Sequence, residues 1–306
     1  MVSLLSSLLL CVVTLWFLFG ALQGAVYRFL QPTLAAIDPS QASAFILAWQ
    51  ALPLLAAVTT GTVLYSPDLA QWFVAGHCHT GQCAMHGPQS SLAVLPAAAL
   101  VTWTLYRLLH CLLRQWLPAR RLRQHLIQIG DRCGDVVTLP ASEPVAFTVG
   151  WLQPQVFIST GMRAACSARE IECIVYHESA HRQRHDNLRL LTSRLLTAPL
   201  PARWSQVALD DLKLCCEHAC DLHAASMLSR ECVAAALLKV TRIQRQCIPA
   251  GSLAFAGNRT QQRILALLDE PRGRLQNHVV VAVISVLVLA MLAMINPLHR
   301  AIELIP

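Results

Sequence analysis

The most constraining feature of this sequence is a set of long apolar stretches that carry almost no charge. Up to Tyr106, the only charged residues of the 306-residue chain are Arg28, Asp38 and Asp68. A helix needs about 20 mostly apolar residues to cross the roughly 30 Å hydrocarbon core of a bilayer. Four stretches meet this requirement and are predicted to be membrane-spanning helices: residues 3–27, 43–65, 91–113 and 279–295.

The composition supports a membrane protein with one polar domain. Hydrophobic residues make up 55% of the chain and charged residues only 13%, whereas soluble globular proteins have about a quarter charged residues. Of the 24 Lys and Arg, 21 lie between Arg114 and Arg274, together with 14 of the 17 acidic residues. This distribution excludes a wholly soluble enzyme, a disordered protein and a small disulfide-stapled domain.

The placement of basic residues predicts the orientation, because Lys and Arg concentrate next to spans on the cytoplasmic side. Five arginines cluster around the exit of the third span, at positions 107, 114, 120, 121 and 123, whereas residues 66–90 contain no Lys or Arg. We therefore expect the polar domain to be cytoplasmic and the 66–90 loop and both termini to lie outside. The first span lacks a preceding basic region and is too long for a signal peptide, so we expect a retained anchor.

Three segments follow from these spans. Residues 1–113 would hold three transmembrane helices and the outer loop at 66–90, residues 114–277 the cytoplasmic domain, and residues 278–306 the fourth helix with a short outer tail. Within the domain, the patterns predict an amphipathic helix over 114–129, strands between 136 and 159, and helices over 187–196, about 205–228 and 231–246. Pro144 would place its strand at a sheet edge or a strand start.

A further helix is predicted after the capping box formed by Ser167 and Glu170. It carries the sequence His177-Glu178-Ser179-Ala180-His181. Histidines at i and i+4 project from one helical face, so both imidazoles can reach one metal ion. Glu178, beside the first histidine, could then take a proton from a water molecule at the open coordination position.

A zinc ion needs a third protein ligand, and Glu217 is the main candidate. Asp221 follows it at i+4 and could accept the N–H of a ligand histidine, which fixes the ring tautomer. His185 is an alternative third ligand, although eight residues along a continuous helix it would lie over 10 Å from His177 along the axis. Three cysteines near Glu217, at positions 215, 216 and 220, are interpreted as packing residues.

These motifs resemble the BlaR/MecR-type integral-membrane zinc metallopeptidases and, more distantly, the HtpX-like membrane proteases. The resemblance covers about residues 113–221 at the level of motifs, together with the arrangement of four spans around one cytoplasmic domain. The residues that carry it are Pro144-Val145-Ala146-Phe147, Pro154, Val156-Phe157-Ile158-Ser159, the HESAH sequence, Arg182, Arg184, His185, Asp186 and Glu217-His218-Ala219-Cys220-Asp221.

The resemblance implies a fold, a cofactor and a set of site residues. The fold would be a mainly α membrane protein, with four transmembrane helices and a cytoplasmic α+β gluzincin-type domain between the third and the fourth. His177, His181 and Glu217 would bind Zn2+, and Glu178 would activate water. The strand containing Val145, Ala146 and Phe147 would pair with an extended substrate.

The function implied is that of a membrane-bound zinc endopeptidase of the bacterial inner membrane. We expect a signal transducer that promotes proteolysis of a cytoplasmic transcriptional repressor in response to an extracytoplasmic stimulus. The best-known members carry an extracellular β-lactam sensor domain; we expect this chain to lack it after the fourth span, and we therefore do not expect a β-lactam receptor role. An HtpX-like quality-control protease and a non-proteolytic membrane sensor are the alternatives.

The outer loop contains a dense group of potential ligands: His77, Cys78, His79, Cys83, Met85 and His86. Soft and borderline donors of this kind suit copper or zinc, whereas Cys78 and Cys83 could equally form a disulfide in an oxidising compartment. Net charge between Arg114 and Arg274 is +7, from the 21 basic and 14 acidic residues of that segment. Because these charges are scattered, we expect attraction to the anionic inner leaflet of the lipid bilayer and no direct contact with nucleic acid.

Overall fold

A computed structural model of the chain describes residues 2–66, 91–246 and 254–268, together with the single positions 72, 273, 285, 289 and 293. The described chain is mostly helical and contains one small mixed sheet. The helices are α1 Val2–Ala35, α2 Pro39–Tyr65, α3 Ser91–Ile129, α4 Thr160–Ala165, α5 Ala168–Arg184, α6 Asp186–Thr197, α7 Ala202–Met227, α8 Arg230–Gln246 and α9 Ala254–Leu268. The strands are β1 Asp131–Cys133, β2 Val136–Leu139, β3 Ala146–Val149 and β4 Gln155–Ser159.

Two helices of the described chain are long and apolar enough to cross a membrane. They are Leu8–Ala35 in α1 and Pro39–Leu64 in α2, and the test rests on length and composition alone. The third predicted span forms the first part of α3, where the side chains of the opening turns are only partly described. The fourth predicted span, residues 279–295, lies outside the described residues apart from three isolated positions.

The helix α3 runs without a break from the third predicted span into the predicted amphipathic segment at 114–129. Leu109, Leu113 and Leu117 are exposed and follow one another at i+4, so they form one apolar stripe along the helix. Arg107, near the end of the predicted span, is held by contacts within the protein. Its Nε donates to the carbonyl of Ala198, 3.0 Å away, and its guanidinium lies over the ring of Trp103.

The sheet has the strand order β1-β2-β4-β3. The strands β2 and β4 are parallel, whereas β1 pairs with β2 and β3 pairs with β4 in antiparallel fashion. The strand material expected between 136 and 159 is confirmed, and β3 lies at an edge of the described sheet. The strand β1 was not predicted, because its three residues are all exposed and show no apolar alternation.

Helices α1 and α2 share a hydrophobic core with α7. Tyr27 and Ile46 pack in one cluster with Leu212. Nearer the N-terminus of α1, the backbones of α1 and α7 approach closely at Gly24. A Cβ on Gly24 would lie only 2.6 Å from the carbonyl oxygen of Trp204. A Cβ on Gly20 would lie 2.7 Å from the side chain of Leu200. The turn between α6 and α7 therefore packs directly against the apolar helix α1. The helices α6 and α7, which this turn connects, flank the site described below.

Two further clusters hold α5 in place. On one side, Ile174 packs against Val156, Ile158 and Met162 of the sheet layer. On the other side, Cys173 joins a cluster formed by side chains of α7, α8 and α9, of which Leu267 is almost fully buried. The helix α5 is consequently fixed between the sheet and the helices α7 to α9, with its polar face turned toward α7.

Candidate metal centre

The helix α5 begins where the sequence predicts. The Ser167 hydroxyl accepts the N–H of Glu170, and the Ser167 N–H donates to Glu170 Oε2 at 2.7 Å, which confirms the capping box. Lys239 of α8 donates to the same carboxylate at 2.6 Å. This cation is the largest cause that holds the pKa of Glu170 below its ordinary value. The first turn is thus fixed, and ten residues later the helix presents His177 and His181 on one face.

The structure brings His177, His181 and Glu217 together as a group that could hold a metal ion. One ligand atom from each residue lies within 4.8 Å of the others. Nε2 of His177 is 3.6 Å from Glu217 Oε2, and Nε2 of His181 is 3.6 Å from Glu217 Oε1. These distances are too long for good hydrogen bonds. The two ring nitrogens and the carboxylate therefore leave a space between them that could hold one ion.

The other nitrogen of each histidine is held by a buried carboxylate. His177 Nδ1 lies 3.0 Å from Asp221 Oδ1, and His181 Nδ1 lies 2.9 Å from Asp186 Oδ2. Both Asp186 and Asp221 are almost completely buried. Because an ionised carboxylate can only accept, each Nδ1 donates its proton to an aspartate, and Nε2 is the ring nitrogen that faces Glu217 and could bind a metal ion.

The partner of His181 was not predicted as such from the sequence. Asp186 was recognised only as part of the resemblance, since five residues after His181 on a continuous helix it would point elsewhere. The helix instead ends at Arg184, and His185 adopts a left-handed conformation with φ 53°. This break starts α6 at Asp186 in a new direction and turns its carboxylate back toward His181.

The same break decides the position of His185. The sequence analysis placed it on a continuation of the helix, which was wrong because the helix ends one residue earlier. His185 Nδ1 lies 3.2 Å from the carbonyl of Gln183. Among the described residues, His185 belongs to neither of the two groups of side chains that could hold a metal.

Arg263 of α9 connects Glu217 and Asp221, two of the acidic residues of α7. Its Nε and Nη2 donate to the two oxygens of Asp221 at 2.8 and 2.6 Å, and its Nη1 donates to Glu217 Oε2 at 2.9 Å. Burial alone would raise the pKa of Asp221, but the hydrogen bonds from Arg263 and His177 outweigh it and lower that pKa. Desolvation would lower the pKa of His177, yet its hydrogen bond to Asp221 and the nearby Glu217 carboxylate raise it to about 10.

Arg263 was not singled out by the sequence analysis. It lies 42 residues from Asp221 along the chain, and no local spacing links the two. The local sequence shows only two arginines at i and i+4, Arg259 and Arg263, in a mixed polar and apolar segment, a pattern that many surface helices share.

Glu178 lies beside this group and is held by the sheet. Thr148 Oγ1 of β3 donates to Glu178 Oε2 at 2.8 Å and lies 3.0 Å from the Glu178 carbonyl oxygen. His177, Glu178, His181 and Glu217 all line one cavity of about 570 Å³. The cavity also includes Ala146 and Phe147 of the edge strand, so the strand and the charged group face the same space.

The edge of β3 is partly open toward this cavity. Phe147 pairs with Phe157 and Val149 with Gln155 across the antiparallel ladder, and the Ser159 N–H donates to the Val145 carbonyl. In such a ladder alternate residues turn their backbone groups away from the partner strand, which are Ala146 and Thr148 here. The carbonyl of Thr148 already accepts from Asn187 Nδ2 at 2.9 Å; the backbone groups of Ala146 point toward the open edge.

A second group of side chains that could hold a metal lies behind the first. It consists of His181, Asp186 and Cys220, and the Cys220 thiol donates to Asp186 Oδ2 at 3.4 Å. In this group His181 Nδ1 and the Cys220 thiol already contact the Asp186 carboxylate. We therefore favour the group that contains Glu217, and the interpretation of Cys216 and Cys220 as buried packing residues agrees with their burial.

The ligands predicted in the outer loop lie outside the described residues. This applies to His77, Cys78, His79, Cys83 and His86, so the choice between a metal site and a disulfide stays open.

Comparisons with known proteins add no relatives. No protein-family model, no curated protein and no solved structure matches the chain. What is known about the site therefore comes from its own residues and geometry.

We expect Asp221→Asn to weaken zinc binding by about 10-fold to 100-fold, as is typical for the loss of a hydrogen-bond partner behind a ligand histidine. The amide cannot fix the His177 tautomer as the carboxylate does. It also removes one of the two carboxylates that pair with the Arg263 guanidinium. Competition with a chromophoric chelator would measure the affinity. Asp135→Asn, which changes an exposed carboxylate paired with Arg182, is the control and should bind zinc normally; equal affinity in both variants would contradict the role of Asp221.

Proposed function

We propose that this protein is a membrane-bound zinc endopeptidase whose active site is formed by His177, Glu178, His181 and Glu217. One observation carries the proposal: two imidazoles with carboxylate-held Nδ1 atoms and a third carboxylate face one point, and Glu178 lies beside them in the same cavity. Such a set of groups fits hydrolysis of an amide bond assisted by a metal.

The donor set fits zinc by its chemistry and by its spacing. Catalytic zinc sites commonly use two histidines and one glutamate, with ligand distances of about 2.0–2.2 Å. Two ligands at tetrahedral angles around such an ion lie roughly 3.3 Å apart, close to the 3.6 Å between each Nε2 and Glu217. When bound, zinc would polarise the scissile carbonyl and lower the pKa of the attacking water.

Each remaining step uses side chains of this chain. Glu178 accepts a proton from the attacking water and delivers it to the leaving amine, the usual task of a general acid–base residue. Thr148 keeps the Glu178 carboxylate oriented toward the cavity through the 2.8 Å hydrogen bond. Asp186 and Asp221 hold the two imidazoles, while Arg263 neutralises the surplus negative charge on α7.

The substrate would be a protein segment in extended conformation. Val145, Ala146 and Phe147 lie on or next to the edge strand, and the register turns the backbone groups of Ala146 away from β4, toward the side where a strand could be added. A peptide bound in this way presents its amide bonds one after another to the site. The open edge therefore supports cleavage within a chain.

We further propose that the site works at the cytoplasmic face of the inner membrane on a regulatory protein. The apolar helices α1 and α2 and their shared core with α7 support an enzyme built into the bilayer. The regulatory substrate, a cytoplasmic repressor, is proposed from the motifs shared with the BlaR/MecR-type peptidases. Membrane-protein quality control is the alternative.

Two measurements test this function. The full-length protein in detergent should contain about one zinc ion per chain and cut an unfolded protein such as casein. Removal of zinc by a chelator should stop the cleavage, and one equivalent of zinc should restore it, since the ion polarises the bond that breaks. A chain that binds zinc stoichiometrically yet cuts neither casein nor any cytoplasmic protein would instead support the non-proteolytic sensor.

A further inference from the structure

The cavity that contains the proposed active site is lined by two chemically different groups of side chains. One group is apolar and belongs to α8, with the spacing i, i+3, i+4 and i+7: Val233, Ala236, Leu237 and Val240. The other group is cationic and consists of Arg194 of α6 and Lys213 of α7. The proposed chemistry does not use these two cations.

Arg194 has no acidic partner among the residues that the structure describes around it. Its Nη1 donates to the amide oxygen of Gln115 at 2.5 Å, a neutral group that leaves the guanidinium charge uncompensated. Arg194 is only partly exposed, so solvent screens this charge incompletely.

Lys213 is paired, but weakly. Its Nζ lies 2.9 Å from Asp210 Oδ1 at i−3, with both side chains roughly a third exposed. Pairs of this kind contribute little and are easily exchanged. The other cations near the cavity are committed more firmly, because Arg263 holds Asp221 and Glu217 while Arg184 and Arg189 face Asp186.

The helical positions of the two cations give their approximate spacing from Glu217 and from Asn187. Lys213 precedes Glu217 by four residues on α7, which is about 6 Å along the axis. Arg194 follows Asn187 by seven residues on α6, about 10 Å from the point where Asn187 holds Thr148. An extended peptide advances about 3.3 Å per residue, so these helical spacings correspond to roughly two to three residues of a bound peptide.

We propose that Arg194 and Lys213 determine substrate specificity by binding an acidic side chain two or three residues from the cleaved bond, while the α8 wall receives an apolar side chain. This inference rests on the proposed peptidase function and names the class of peptide that the site accepts. Charge complementarity favours a carboxylate here, and the position inside the cavity with Glu178 favours a substrate group over a lipid phosphate.

The test uses quenched-fluorescent peptides of ten residues with a central apolar pair, which differ only by Glu, Gln or Lys at one position. The full-length, zinc-loaded protein in detergent should cleave the best Glu peptide with a kcat/KM about 10-fold above that of its Gln counterpart, which corresponds to about 1.4 kcal/mol. Arg194→Gln should remove most of this preference, and Arg194→Glu or Lys213→Glu should reverse it toward the Lys peptide. Arg163→Glu, at an exposed position on α4, should leave it unchanged.

A binding measurement separates this inference from the function on which it rests. In the Glu178→Gln background, fluorescence anisotropy should show about 10-fold tighter binding of the Glu peptide, and Arg194→Glu should abolish that difference. Equal binding and cleavage of all three peptides would overturn the inference alone. Absence of cleavage with preserved charge-dependent binding would overturn the peptidase function alone. If phosphatidylglycerol nanodiscs eliminated the preference for the Glu peptide, a lipid phosphate would bind Arg194 and Lys213, and the inference would be wrong.

Discussion

Glu178→Gln is expected to leave zinc binding unchanged and to reduce peptide cleavage by roughly 10²-fold to 10⁴-fold, the range over which general acid–base groups act. The amide has the same size as the carboxylate and can still accept the hydrogen bond from Thr148. It cannot take the proton of the attacking water, and it cannot return that proton to the leaving amine. The loss should therefore fall on kcat, with little change in KM.

The comparison needs a control on the same helix. Glu172 lies on α5 six residues before Glu178 and is exposed, so Glu172→Gln makes the same chemical change away from the cavity. Zinc content by mass spectrometry and initial rates with one quenched-fluorescent peptide should be measured on both variants. Native cleavage by Glu178→Gln, or loss of its zinc, would show that Glu178 does not act as the proton carrier.

The first part of the site could be predicted because it is local. The interval between His177 and His181 is a property of one helix, and the capping box at Ser167 fixes where that helix begins. The i+4 spacing of Glu217 and Asp221 is likewise local. It predicts that both carboxylates point the same way, which is what their distances to His177 show.

The residues that the sequence analysis missed depend on tertiary structure. Asp186 reaches His181 only because the backbone turns at His185, which adopts a positive φ that is uncommon for any residue other than glycine. Thr148 contacts Glu178 from a strand position 30 residues earlier. Arg263 of α9 contacts Asp221 of α7, although 42 residues separate them along the chain. No periodic pattern relates such positions, since packing alone selects them.

The fold shows the same division. Long apolar runs and helical spacing predicted α2 and the helices α5 to α8 within a few residues, whereas α1 continues eight residues beyond its predicted end at residue 27. The contact of α7 with α1 was not expected, because the sequence analysis treated the polar domain and the spans as separate units. Gly24 permits this approach, yet a single glycine in an apolar helix has many possible causes.

Glu217→Gln is expected to weaken zinc binding by roughly 10²-fold to 10³-fold. Structural zinc sites bind with about 10–16 kcal/mol shared among their ligands, so the loss of one ligand corresponds to about 3–4 kcal/mol. The amide oxygen of Gln is a poorer donor than a carboxylate, although the side chain keeps its shape and can still accept the bond from Arg263. Binding should fall without unfolding, as a thermal scan of the metal-free proteins would check.

Cys220→Ser is the matched variant, since it decides between the two groups that could hold the metal. Both groups share His181, and only one contains Cys220. If Glu217 is the ligand, Cys220→Ser should keep native zinc affinity while Glu217→Gln loses it. The reverse result would place the ion behind His181, between Asp186 and the thiol. Glu217 would then not hold the ion, and the proposed site of His177, His181 and Glu217 would be wrong.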